Sequence, residues 1–210
     1  GSCFSEHMAK LLADNKFDVL SNPGGIIFHP IPMLNILKRG LDNTRFSADD
    51  FYFHDLKHHN LHLPSKFQST NANDLLTSSN EVVQRLNSKV KEATHVMLTF
   101  GTAWGYTLKN RPSETVANCH KIPNSSFDKT LTSLDHLLEA AVDILSPLLE
   151  EKPSLNITLT VSPVRHWRDG AVENSRSKAA LALLCQQLEK QFSQVYYFPS
   201  YEILMDDLRD

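Results

Sequence analysis

The first four residues, Gly1-Ser2-Cys3-Phe4, stand at the predicted start of a helix. A serine hydroxyl at a helix N-terminus lies near backbone N–H groups that can hold an oxyanion, so Ser2 is a candidate nucleophile for acyl transfer. Cys3 is an alternative nucleophile, because a helix N-terminus favours the thiolate. Non-catalytic interpretations stay open: Ser2 caps the helix, the Gly-Ser pair is a cloning remnant, or Cys3 is a buried structural residue.

A second group of candidates lies in the segment SPVRHWRDG at positions 162–170. His166 is a candidate general base, and Arg165 is a candidate for holding an anion. The alternative is a loop that Trp167 anchors, with His166 hydrogen-bonded locally. The density of ionisable side chains in one short segment makes it a site candidate.

The tetrapeptide Asn118-Cys119-His120-Lys121 supplies a third group. The amide of Asn118 could donate a hydrogen bond to a developing oxyanion, and His120 is a candidate substrate contact. Because asparagine side chains also organise turns, a purely structural role for Asn118 stays open.

The histidine-rich run FHDLKHHNLH offers a possible metal site. His54 and His58 are spaced i, i+4, and His59 and His62 follow, so a helix here could grip zinc. No HExxH motif or second ligand cluster accompanies them. A solvated loop is the favoured interpretation, and neither a metal nor another cofactor is expected.

Composition narrows the class of protein. The 210 residues carry 24 acidic and 21 basic side chains, a net charge of −3, which argues against nucleic acid as a partner. No apolar run approaches the ~20 residues of a membrane helix. Cys3, Cys119 and Cys185 form no disulfide framework, so a reducing, cytoplasmic location is expected. A chain of this size is expected to fold as one domain over residues 1–210.

Hydrophobic spacing predicts the elements that position these residues. Helices are predicted over 5–15, 31–39, 75–92, 127–151 and 179–192, and strands over 17–20, 94–100, 157–162 and 195–204, with an irregular segment at 46–69. Strands that are apolar throughout and alternate with helices indicate a parallel sheet covered on both faces. Ligands of such a sheet bind at the carboxyl ends of its strands, here the segments 21–30, 101–106 and 162–170.

Six motifs together resemble the GSCFA-domain family, in order and across nearly the whole chain. They are GSCF, NPGGI, TFGTAWGY, NCHK, SPVRHWRDG with ENSRSKAAL, and YYFPSYEILMDDLRD. That family is grouped with the SGNH or GDSL-like hydrolases, which are mostly esterases and acyl hydrolases. The resemblance implies a three-layer α/β/α, flavodoxin-like fold with a mostly parallel sheet. It also makes a cloning remnant an unsuitable explanation of Gly1-Ser2.

The resemblance also implies roles for individual residues. Ser2 is the implied nucleophile, Gly25 the implied oxyanion N–H donor, and Gly101-Thr102 the implied loop after the third strand of the family fold. A Gly-x-Asn-Asp motif is expected in that loop, so the side-chain donor is expected to be Thr102, Asn118 or missing. The Asp-x-x-His motif that supplies the family's base is expected after the last strand, and His166-Trp167-Arg168-Asp169 has the reverse order.

These departures leave three functions to compare. The first is a serine ester hydrolase, with small-molecule or acetylated glycan esters as substrates by family analogy. The second is a non-catalytic module in which Arg165, His166 and Arg168 hold an anion. The third is the zinc site of the histidine run. The first turn lacks a preceding strand and the Asp-x-x-His motif is missing, so a domain shortened at both ends is expected.

Overall fold

The computed structural model describes residues 1–208, which form a mixed α/β structure. Its main helices are α1 (Cys3–Asp14), α2 (Pro30–Leu41), α3 (Ala72–Glu92), α4 (Leu134–Glu151) and α5 (Ala171–Gln191). Its strands are β1 (Tyr52–His54), β2 (Lys57–His59), β3 (Gln68–Ser69), β4 (His95–Phe100), β5 (Trp104–Leu108), β6 (Arg111–Thr115), β7 (Phe127–Leu131), β8 (Asn156–Val161) and β9 (Val195–Tyr197). No helix within these residues is long and apolar enough to span a lipid bilayer.

The central element is a parallel sheet with the strand order β4-β8-β9. Phe100 lies opposite Val161, and Leu159 lies opposite Tyr197. These strands share one buried hydrophobic cluster with α2, α3, α4 and α5, which explains why they are apolar throughout. The predicted α/β class, the strands at 94–100 and 157–162 and the helices at 5–15, 31–39 and 75–92 are confirmed to within a few residues.

The predicted parallel sheet is present as β4-β8-β9, but six further strands lie in two antiparallel sheets, ordered β1-β2-β3 and β6-β5-β7. The helix predicted from residue 127 begins only at Leu134, and residues 127–131 are β7, paired with β5. The leucine spacing that marks α4 continues backwards through Leu131, which hides the boundary. Ser133 ends the strand and caps α4, accepting a hydrogen bond from His136 N at 3.3 Å.

Three other predicted segments also differ from the structure. The segment 46–69 contains the hairpin of β1 and β2, and its two turn residues, Asp55 and Leu56, have φ values of 48° and 57°. No strand is formed at 17–20. Only residues 195–197 of the last predicted strand are β, and a helical turn at Ser200–Glu202 follows.

Helix α5 begins at Ala171, two turns before the start predicted from its apolar residues. Its first turns bury the polar side chains of Asn174, Ser177 and Lys178, so hydrophobic spacing does not reveal them. These turns bring polar groups to the carboxyl ends of β4 and β8.

Helices α2 and α3 approach each other closely at Gly40. A Cβ atom on Gly40 would lie 2.5 Å from Cβ of Leu86. The helix predicted over 31–39 continues through Gly40 to Leu41. The glycine therefore serves helix packing instead of helix termination.

Candidate active site

Lys178 joins the ends of the two neighbouring parallel strands. Its Nζ donates hydrogen bonds of 2.7 Å to Gly101 O, after β4, and of 2.7 Å to Ser162 O, after β8. The side chain is 3% exposed, and no carboxylate of residues 1–208 forms an ion pair with it. Burial lowers the pKa of Lys178 to about 8. The strand ends therefore contain a buried, uncompensated ammonium group.

His166 lies beside this lysine in the loop that follows β8. Its backbone N–H donates to Asn174 Oδ1 at 2.9 Å, and its ring packs edge-on against Phe28 with the ring centroids 5.4 Å apart. The Nε2 atom is buried and has no hydrogen-bond partner among the described residues. Burial lowers the pKa of His166, and the charges of Lys178 and Lys129 lower it further, against an opposing effect of Asp169. The imidazole is consequently favoured in its neutral form.

Ser2 occupies the N-cap position of α1 and is completely buried. Its hydroxyl makes no capping hydrogen bond, and Ser2 Oγ is a second buried polar atom without a partner within residues 1–208. Ser5 Oγ donates to Ser2 O at 2.6 Å, so the neighbouring serine is satisfied. The interpretation of Ser2 as a side-chain helix cap is therefore wrong. Cys3, the alternative nucleophile, is partly exposed.

The segment 21–30 links Ser2 to the strand ends. Asn22 Nδ2 donates to Ser5 Oγ at 3.3 Å in the first turn of α1, and Asn22 O accepts from Gly25 N at 2.6 Å. Further along the segment, Phe28 O accepts hydrogen bonds from Gly101 N at 2.8 Å and Thr102 N at 3.3 Å. One loop thus contacts both the start of α1 and the end of β4.

The candidate oxyanion donors are occupied within the protein. The Gly25 N–H closes the turn with Asn22, at a φ of 89° that favours glycine. Thr102 Oγ1 lies 3.1 Å from Ser177 Oγ and accepts from Trp104 N at 3.1 Å. The geometry assigns Thr102 to the local structure of the loop.

Asn118 and His120 both organise the chain locally. Asn118 is exposed, and its Oδ1 accepts from His120 N at 2.8 Å, the turn-forming role that the sequence left open. His120 is buried, with Nε2 donating to Leu63 O at 2.8 Å and Nδ1 3.4 Å from Nδ1 of His59. Cys119 lies between Asn118 and His120 in the chain. Burial raises its pKa to about 11, which disfavours the thiolate.

The helix that the zinc alternative requires is not formed by the histidine run. His54 and His58 lie in the β1–β2 hairpin, where Phe53 is the cross-strand partner of His58. Because side chains alternate along a strand, His54 and His58 are placed on opposite faces of the hairpin. His62 is paired with Glu114 at 3.1 Å. Across residues 1–208, no group of three or more His, Cys, Asp or Glu side chains could hold a metal ion.

A cavity of about 300 Å³ opens beside the His166 loop. Arg165, Trp167, Asn174 and Tyr201 are among its lining residues. The Arg165 guanidinium lies 5.3 Å from the ring centroid of Trp167. Arg168 is exposed, and its charge acts on Cys119. The cavity could receive a small polar or anionic group next to the strand ends.

Sequence reasoning missed Phe28, Asn174, Ser177 and Lys178. Asn174, Ser177 and Lys178 lie on one face of α5, because residues three and four positions apart are neighbours on a helix surface. The run NSRSK at 174–178 contains all three. A polar stripe at helical spacing before the apolar stripe was the available signal.

Comparison with known proteins identifies the family of the chain. The model of the GSCFA family matches residues 1–210. No curated protein and no solved structure matches the chain.

Proposed function

The chain belongs to the GSCFA family, and from this premise we propose that it is a serine ester hydrolase of the SGNH type. The proposal includes a flavodoxin-like, three-layer arrangement around the parallel sheet. Its substrates are small acyl esters, with acetyl esters of carbohydrates as the first class to test. The family resemblance supplies the reaction class, and the site's unpaired atoms support it.

The observation that carries the proposal is the pair of unsatisfied atoms, Ser2 Oγ and His166 Nε2. Within residues 1–208 they are the two buried side-chain polar atoms that lack a hydrogen-bond partner. Nearly all buried polar groups in proteins are paired, so an exception calls for an explanation such as catalysis. Here the exceptions have the chemistry of a nucleophile and a base, and the segment 21–30 contacts the surroundings of both.

The proposed reaction has two halves. Ser2 Oγ attacks the acyl carbon while its proton passes to neutral His166, and the alcohol leaves with a proton from the imidazolium. Water then attacks the acyl-enzyme, His166 accepts one of its protons, and the carboxylic acid leaves as Ser2 Oγ is reprotonated. Neutrality of His166 near pH 7 is what a general base requires, because a protonated imidazole cannot accept the serine proton.

Backbone N–H groups in the first turn of α1 are best placed to stabilise the oxyanion. The first N–H groups of a helix have no partner inside it, and the helix dipole favours negative charge there. Gly25 N–H, the donor that the resemblance implies, would have to exchange its bond to Asn22 O for the oxyanion. We therefore assign the larger share of the stabilisation to the N–H groups of Cys3 and Phe4.

The direct test is hydrolysis of p-nitrophenyl acetate and acetylated glycans by the full chain. Ser2→Ala is expected to abolish turnover, whereas Ser5→Ala, one turn further along α1, is expected to retain it. Cys3→Ala separates the two nucleophile candidates, and full activity in that variant is expected. Equal turnover by the wild type and Ser2→Ala would remove Ser2 from the reaction, and loss of turnover only in Cys3→Ala would assign the nucleophile to Cys3.

Anion binding is the second candidate function, and the cavity beside Arg165 favours it. In this function Arg165, His166 and Arg168 hold a phosphate or carboxylate without chemistry, and of the three only Arg165 lines the cavity, together with Asp206. Thermal unfolding with phosphorylated and carboxylated compounds tests this function, since a bound ligand stabilises the folded state. Stabilisation that disappears in Arg165→Ala supports it, and no shift with any anion contradicts it.

A further inference from the structure

The buried ammonium of Lys178 needs an explanation beyond packing. Burying a charge without a counter-charge is unfavourable, and the two carbonyl groups that Lys178 contacts offset only part of that cost. The ring centroid of Tyr201 lies 5.7 Å from Nζ. A neutral side chain with two N–H groups would satisfy the same two carbonyl groups. The positive charge itself is therefore the feature to explain.

The position of Lys178 marks where the parallel ladder stops. Ser162 N donates to Phe100 O at 2.8 Å, as the continuation of the β4–β8 pairing. The next carbonyl groups, Gly101 O and Ser162 O, are the two that Lys178 binds. The lysine thus fixes the points at which both strand-end loops leave the sheet, including the loop that carries His166.

Three charged groups act on His166. They are Lys178 on α5, Asp169 in the same loop and Lys129 on β7. Lys129 forms an ion pair with Asp169, so their effects on the imidazole oppose each other. Lys178 has no such partner within residues 1–208, and its charge therefore acts on His166 without compensation.

We propose that Lys178 is a positioning residue of the site: its ammonium group joins the ends of β4 and β8, fixes the start of the loop that carries His166, and adds a positive charge beside that buried imidazole. That His166, so placed, accepts the proton of Ser2 rests on the proposed hydrolase function. The electrostatic part concerns His166 alone and can be measured without any substrate.

The first experiment is an NMR titration of the full chain labelled in its histidine rings, with His166→Gln identifying the signal. Lys178→Met removes the charge, Lys178→Gln removes it but keeps two N–H donors, and Lys178→Arg retains it. We expect the proton affinity of His166 to rise by about threefold or more in the uncharged variants and to stay near wild type in Lys178→Arg. Lys129→Met is the matched control, because it also removes a positive charge that acts on His166. The expected rise in proton affinity is smaller, since Lys129 has the smallest effect of the three charged groups.

The second experiment is the pH dependence of ester hydrolysis in the same variants. A general base must be neutral, so the acid limb of the pH–rate profile is expected to move to higher pH in Lys178→Gln and to stay in place in Lys178→Arg. A merely structural lysine would change the rate at all pH values alike. A folded uncharged variant in which His166 titrates as in the wild type overturns the inference. A changed titration together with a wild type that hydrolyses no ester would leave the inference standing and remove the hydrolase function.

Discussion

Replacing Ser2 with alanine is expected to stabilise the protein while abolishing its activity. The Ser2 hydroxyl is fully buried and unpaired, and it makes no capping bond that the substitution could lose. A buried hydroxyl without a partner costs about 1–3 kcal/mol in mutational data. Taking the lower end, Ser2→Ala should raise the free energy of unfolding by about 1 kcal/mol, or the melting temperature by about 2–4 °C for a chain of this size.

Ser133→Ala is the matched control, because Ser133 is the N-cap of α4 and its hydroxyl is paired with His136 N. The free energy of unfolding of Ser133→Ala should fall by about 1 kcal/mol, which is the ordinary contribution of a serine cap. Urea and thermal unfolding measure both changes, and p-nitrophenyl acetate hydrolysis is followed in the same preparations. If Ser2→Ala is destabilised as much as Ser133→Ala, the Ser2 hydroxyl has a structural partner in solution, and its apparent lack of one no longer indicates reactivity.

Two other variants test the fold. Burial lowers the pKa of His29 to about 4, so its folded form is neutral and its contribution to stability is present above pH 6.5 and lost as the pH falls towards 4. His29 is the N-cap of α2, and its Nδ1 accepts a hydrogen bond from Ile31 N at 3.2 Å. His29→Asn keeps a capping side chain, and we expect its stability, measured by urea unfolding, to decline by about 3 kcal/mol less than the wild type over that interval; parallel curves would contradict this. Gly40→Ala, although alanine favours helices, should lower the free energy of unfolding by about 2 kcal/mol because its Cβ meets Leu86 at 2.5 Å; unchanged stability would show that α2 and α3 can separate.

The sequence allows prediction of the elements whose environment is uniform. The carboxyl-terminal halves of β4 and β8, from Leu98 and Leu159 onwards, are buried on both faces, so both strands are predicted from short, largely apolar runs. The β1–β2 hairpin has no comparable signal. Its turn needs two residues with positive φ, and an Asn-Gly pair would indicate such a turn in the sequence. Asp55 and Leu56 occupy these two positions instead.

The site could be predicted only in part, for a related reason. Ser2 and His166 are candidates from the sequence because two short segments, GSCF and SPVRHWRDG, concentrate reactive side chains, and their roles stay predictions. Lys178 was not a candidate, because a charged residue in a helix is expected to face solvent. The first turns of α5 turn their polar side chains inward, and local rules fail most readily where a site overrides them. Asn118 and His120 show the converse, since reactive residue types there serve a turn and a buried contact.

The two kinds of sheet also differ in when they can form during synthesis. His95 of β4 pairs with Asn156 of β8, so paired residues of these two strands lie 61 positions apart in the chain. At about 5–20 residues per second, β4 emerges from the ribosome roughly 3–12 s before β8 is complete. The antiparallel strands β5 and β7 need no such wait, because Leu108 and Phe127 are close in the chain. The nascent chain can therefore build its antiparallel sheet while both edges of β4 are unpaired. Pairing with β8 covers one of the two edges, and aggregation through that edge is a hazard until then.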